Sequence, residues 1–555
     1  MTDPRIKKKP YRKFKGKDST PVILSNEHES PAEKRSPIST GIAPYAGAWT
    51  ETQATHLLKR CSFGVKKEEI VQLVSLGVDE AVNLLTTPKP NDTLPLNDYD
   101  HYETDLYVAP GETWVDAPHG EAAEFLRVYS LKNWILESYT KSNLSLHEKM
   151  VLFWHNLIPT QFFNLEIANL SYRYYKILDN NAFGNFRDII KEVTLNPAML
   201  VYLNGYFNVK EAPDENYARE LQELFMVGKG EGSQYTEQDV YEAARVLTGW
   251  TLDIESVFNE GEAITVFEDS NHDEGDKVFS SFYGNRVITG KSGPAGAEET
   301  DELIDMILDT NEAALYLCRR LYNFFVYHEV DEITETNVIA PLADIFRTNN
   351  YDILPVIQTL LKSEHFYDVA NLGAYVKNPL DHTIGLLKSL QVPFSEDLNE
   401  KFDQLIEQYF LTNDAGMGVG DPPSVSGWQA YYQQPNYDKI WINSDTFIKR
   451  ARIQDYFVYS FFDLPAFVNL LEHPEDPNAL IMESNLILQG ITLDESVVND
   501  LKSNLLAGQQ LDSYWTTAWN LYHQNPEDEE YRSTVENRLR LLFQQFLQLS
   551  ESQLM

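Results

Sequence analysis

From about Trp49 to the C-terminus, apolar residues recur three and four positions apart, the spacing of helices that bury one face. "ETQATHLLKRCSFG" opens the first such helix, and Gly64 ends it. Two later helices carry start signals. Ser145 with Glu148 predicts a capping box before "KMVLFWHN", and Thr236 with Asp239 a weaker one before "VYEAARVLTGW". In the latter, Val240, Ala243, Ala244 and Leu247 form one apolar stripe. The period changes over 263–290. There "AITVF" and "NRVITG", with Tyr283-Gly284-Asn285 between them, predict a small β-hairpin or flap. The fold class is therefore mainly α, a multi-helical body with a small β insertion near 263–290.

Interruptions divide this pattern. Residues 1–49 are rich in Lys, Pro, Ser and Gly and lack periodicity, which predicts a disordered polar tail. A main helical domain follows over 50–442, including the flap, and a C-terminal helical part over 443–555 packs on it. A Pro-, Asp- and Gly-bearing loop is expected over 88–120. The Gly- and Pro-rich "NDAGMGVGDPPSVSGW" at 413–428 is too long for an ordinary connection and predicts a functional loop.

Composition supports burial: 43% of the 555 residues are hydrophobic and 12% aromatic, enough for a packed core. With 84 acidic against 45 basic residues the formal charge is -39, which argues against an extended nucleic-acid interface. The start is the exception. Arg5, Lys7, Lys8, Lys9, Arg12, Lys13, Lys15 and Lys17 face only Asp3 there. That arm is read either as solvated or as a contact for anionic lipid or for the acidic body. Cys61 and Cys318 cannot build a disulfide framework and read as small core residues. No run approaches the roughly 20 apolar residues of a membrane span, so no transmembrane segment is expected. The basic start lacks the apolar stretch of a signal peptide, and the chain as written reads as cytoplasmic.

Three segments carry candidate chemistry. In "DENYARELQELFMVGKG" (214–230), helical steps put Tyr217, Ala218, Leu221, Leu224 and Phe225 on one arc, and Glu215, Asn216, Arg219, Glu220 and Glu223 on the other. Glu215, Arg219 and Glu223 would form a surface charge ladder. Glu220, at the edge of the apolar arc, is expected to be the most buried carboxylate, suited to a general base or metal ligand. In "HEKMVLFWHN" the helix is apolar nearly all round, so His155 is buried, as a hydrogen-bonded core residue or as a ligand, base or proton donor. In "NHDEGDK", His272 and Asp273 lie in the flap region, where plain loop hydrogen bonding is the alternative. Glu220, His155 and His272 are the donor types of a divalent-metal site, although no tight spacing such as His-Glu-x-x-His is present. "GNRVITGKS" has five residues between its glycines where a phosphate loop needs four, and it is rejected.

"HLLKRCSFG", "EKMVLFWHN", "NPAMLVYLN", "ENYARELQELFMVGKG", "YTEQDVYEAARVLTGW", "HDEGDK" and "DPPSVSGW" with the later "WIN" occur in this order. Together they resemble the bacterial family known as domain of unknown function 1800, from about residue 50 to the closing "SESQLM". The resemblance implies a large, mainly helical protein without established activity. It also implies a neighbouring sulfatase-like or phosphatase-like protein with a twin-arginine export signal, hence work on a polymer or glycan and export alongside that partner. The family often reads Phe-Trp-His-Asn-His-Phe, but here the second His position is Leu157. A metal scheme needing both histidines therefore fails, and His155 would act alone.

Two functions stay open. One is an enzyme whose pocket gathers His155, Glu220, Arg219, His272 and Asp273, with a divalent metal or acid–base chemistry, Arg219 holding an anionic group and the flap closing over it. The alternative is a non-enzymatic helical scaffold or binding partner, in which the same residues pack and cap.

Overall fold

The computed structural model describes residues 38–259 and 262–555. Helices dominate, and among the described residues named strands occur only in two two-stranded antiparallel sheets. The mainly α class predicted from periodicity is thus what forms. One apolar core runs from Ala54 and Leu57 in the Glu51–Cys61 helix to Phe543 and Leu547 in the Glu529–Gln548 helix. Cys61 and Cys318 are free thiols buried in it, as expected of small core residues. Among the described residues no helix is long and apolar enough to cross a membrane.

Local signals set several boundaries. The Thr236–Asp239 capping box closes as predicted: Thr236 Oγ1 accepts the Asp239 N–H at 3.2 Å, and Asp239 Oδ2 accepts the Thr236 N–H at 2.7 Å. At the His147–Leu157 helix the cap takes another form, with Ser145 Oγ accepting the His147 N–H two residues on, at 3.0 Å. After the Glu51–Cys61 helix, Gly64 adopts a φ of 80°. A Cβ at Gly64 would lie 2.1 Å from the Gly385 carbonyl oxygen, so only glycine permits this approach to the Pro379–Ser389 helix.

The tail boundary differs from expectation. The basic residues 5–17 lie outside the described residues, but 38–49 run along the body. Tyr45 N–H donates to the Lys362 carbonyl at 2.8 Å, and Gly41 and Ala43 carbonyls accept from His365 and Glu364 N–H groups. These backbone pairings have no side-chain periodicity, which is why the pattern does not announce them.

The β region also differs. β1 (Trp250–Asp253) pairs with β2 (Ile264–Phe267), and β3 (Lys277–Val278) with β4 (Val287–Ile288). "AITVF" therefore pairs backwards with "WTLD" rather than forwards with "NRVITG". The 413–428 stretch begins in the Leu398–Asp414 helix and then wraps the end of the His147–Leu157 helix. Trp428 N–H donates to Asn156 Oδ1 at 2.9 Å, and Phe162 N–H to the Gly420 carbonyl at 3.0 Å.

Residues 443–555 close over the first helix. Lys59 Nζ donates to the Leu488 carbonyl at 2.9 Å, and Arg450 Nη2 to the Lys377 carbonyl at 2.7 Å. Leu554 makes an antiparallel bridge to Val376.

Candidate functional sites

The Glu215–Glu220 helix continues into a π-helical stretch, Leu221–Met226. Within it the Val227 N–H reaches back five residues to the Gln222 carbonyl at 3.0 Å, and Gln222 Nε2 donates to the Ala218 carbonyl at 3.0 Å. Tyr283 OH holds the Gln222 amide oxygen at 2.7 Å, and Tyr316 OH takes the Leu224 carbonyl at 2.6 Å. Side chains after Glu220 consequently lag behind their helical-wheel positions. Glu223, expected on the polar arc, is only 8% exposed, while Leu224, expected inside, is partly exposed. Glu220 is half-buried, not the most buried carboxylate of the segment. Burial, then the neighbouring Glu223 charge, pushes its carboxyl above the ordinary value. Arg219 forms the predicted ladder, 2.9 Å from Glu215 and 3.6 Å from Glu223, and adds Glu237 at 2.7 Å.

His155 sits elsewhere, stacked on Phe162 at 5.2 Å between ring centroids, with Tyr174, Tyr175 and Trp428 around it. Burial holds its pKa down to about 4, so the ring is neutral near pH 7. Its Nε2 lies 3.2 Å from the Thr160 carbonyl, which can only accept and so fixes the protonated nitrogen. Beside this aromatic box is an ion pair that sequence reasoning missed, Lys132 with Asp421 from the 413–428 loop. Lys132 Nζ also donates to the Val419 carbonyl at 2.8 Å and lies 4.2 Å from the Phe163 ring centroid. A Lys set within the apolar run "VYSLKNWIL" is the signal the sequence offers, and Lys132 is fully buried.

His272 and Asp273 form a third environment. His272 places Nδ1 2.9 Å from the Thr248 carbonyl and Nε2 3.2 Å from Glu299 Oε1. Asp273 takes a two-point contact from Arg245, at 2.8 and 3.0 Å. Burial alone would raise the Asp273 carboxyl, but Arg245 and the Gly275 N–H hold it below its usual range. Glu299 is fully buried and accepts from Lys277 Nζ at 2.5 Å and from the Lys291 N–H at 2.7 Å. Against burial, His272 and Lys277 keep its carboxyl low as well. Glu299 lies in an acid-rich run that contains no mark of this role.

The five candidates thus fall into three settings: Arg219 with Glu220, His272 with Asp273, and His155 by itself. Among the described residues no three His, Cys, Asp or Glu side chains group as a metal site, so Glu220, His155 and His272 do not form the expected donor set.

Fold and sites together define a mainly helical protein whose candidate side chains are mostly engaged by hydrogen bonds and ion pairs to other residues of the chain. The chain belongs to the family described as "Protein of unknown function (DUF1800)", whose model matches residues 56–554. No curated protein and no solved structure matches it.

Proposed function

We propose that this protein is a non-enzymatic helical binding partner, acting with the sulfatase-like or phosphatase-like protein that the family resemblance implies and exported with it. One observation carries this reading. His155, Arg219, His272 and Asp273 each have internal hydrogen-bond or ion-pair partners, so none is left poised for a reacting group. The C-terminal part supplies apolar surface for a partner, with Phe447, Ile448, Met482 and Leu511 each at least half exposed.

Sedimentation of the two purified proteins tests the idea. A joint species with a Kd of about 1 μM is expected, weakened by Phe447→Asp with Ile448→Asp. Separate sedimentation at about 50 μM of each overturns it. Glu220 favours the second reading, an acid–base enzyme, because this half-buried carboxyl with a raised pKa has no hydrogen bond or ion pair among the described residues. Ester turnover by the isolated chain that Glu220→Gln abolishes would replace the binding proposal with the enzymatic one.

A further inference from the structure

A cavity of about 40 Å³ lies between the Glu51–Cys61 helix, the Pro379–Ser389 helix and the C-terminal helices. Its titratable lining is Lys59, Lys377, Asp381 and His382. The one acidic side chain of the lining, Asp381, is already engaged by Lys149 Nζ and by Asn378 Nδ2 at 2.7 Å. The cations are not balanced in this way. Lys59 donates only to the Leu488 carbonyl, and Lys377 to the Ser552 carbonyl at 2.9 Å, although each ammonium has three donors. His382 is 4% exposed, and neither ring nitrogen meets a hydrogen-bond partner. Arg450, behind them, donates to neutral oxygens of Gln553 and Lys377, and its Nη1 has no partner. Among the described residues none of Lys59, Lys377 and Arg450 has a carboxylate within ion-pair distance.

Burying unpaired cations is costly, and a protein of net charge -39 has carboxylates in excess that could have been placed here. Burial and the mutual Lys59–Lys377 repulsion drive the Lys59 ammonium well below its ordinary pKa, and burial brings Lys377 to about 8. Water fills space but supplies no charge; an anion would do both. At about 10–15 Å³ per water the cavity holds about three waters or one tetrahedral oxyanion. Ser389 Oγ, on the wall, accepts the Val65 N–H at 2.8 Å and keeps its own hydroxyl proton for donation. Lys59 comes from the Glu51–Cys61 helix, and the other donors line the cavity from the 377–389 stretch facing it.

We propose that this cavity binds a phosphate or sulfate group, held by Lys59, Lys377, His382 and the Ser389 hydroxyl. The inference stands apart from the partner reading and survives its failure. Full-length protein is titrated by calorimetry and by thermal unfolding with sodium phosphate, sodium sulfate, phenyl phosphate and phenyl sulfate. Saturable binding is expected for at least one of these, with a matching rise in Tm. Binding of the inorganic ion alone identifies an enclosed free ion; equal binding of an ester identifies the head of a larger ligand. Lys59→Met and Lys377→Met should each weaken binding by at least about tenfold, and His382→Gln by about threefold. Removing an uncompensated buried cation relieves its desolvation, so both Met variants should melt no lower than wild type without anion. This separates lost binding from lost folding. The proposal is overturned if no anion binds at about 10 mM, or if both Met variants bind as wild type does.

Discussion

The sheet region around Glu299 and the cavity around Lys377 both bury several charged groups, yet they balance them in opposite ways. At Glu299 the charges meet their complements: Lys277 faces the carboxylate, with His272 Nε2 3.2 Å from it, and Arg245 faces Asp273. At the cavity, Lys59 and Lys377 meet only carbonyl oxygens, and His382 meets nothing. The contrast separates two meanings of a buried ionisable residue. A satisfied network fixes a fold, whereas an unsatisfied one of a single sign is a vacancy for a ligand of the other sign. His272 and Asp273, which sequence reasoning places in a catalytic pocket, belong to the first kind.

If the Glu299 network is structural, breaking it carries the largest effect. Glu299→Ala leaves Lys277 and His272 buried without their carboxylate, and should cost about 3–5 kcal/mol in chemical denaturation. Glu299→Leu combined with Lys277→Met should recover most of that loss, because no lone buried charge remains. A loss below about 1 kcal/mol for Glu299→Ala would erase the distinction between the two regions.

His155 sharpens the comparison through pH. Its folded pKa of about 4 lies below the ordinary 6.5, so above pH 6.5 it is neutral in both states and contributes no pH dependence. Between pH 6.5 and about 4 the unfolded chain takes up a proton that the folded chain refuses, and stability falls as pH falls. The loss over this window should be about 3 kcal/mol, and His155→Phe should remove it from the pH profile of denaturation midpoints. An unchanged profile in His155→Phe would show that the aromatic box does not exclude the charge. By contrast, Arg219→Ala breaks contacts of a partly exposed ladder, and should shift stability by less than about 1 kcal/mol.

What could be read in advance divides along the same line. The helical class, the Thr236 cap and the Gly64 stop are local, decided by residues within a turn of each other. The pairing of β1 with β2, the π stretch at Leu221–Met226 and the burial of Glu223 depend on contacts far along the chain, such as Tyr283 and Tyr316. Periodicity carries no information about these. His155 is buried and Arg219 laddered as their spacing predicts, but Glu220 is less buried than expected, and grouping the candidates into one pocket assumes a convergence that spacing cannot encode. The cavity was invisible for that reason: Lys59, Lys377 and His382 meet only after residues 443–555 close over the first helix.

Glu220 tests the comparison most finely because it shares one property with each region. Like the cavity cations it has no ion pair among the described residues, but it reaches solvent, so water can serve it. Its carboxyl is raised by burial and by the Glu223 charge, which means that ionisation near pH 7 slightly opposes folding. Glu220→Gln should therefore stabilise the protein by a few tenths of a kcal/mol, the size of a relieved like-charge contact on a helix, with the gain fading as pH falls and Glu220 protonates. A loss of more than about 1 kcal/mol would mean that this carboxylate has a favourable partner after all, and that exposure rather than pairing is the wrong criterion for telling the two kinds of site apart.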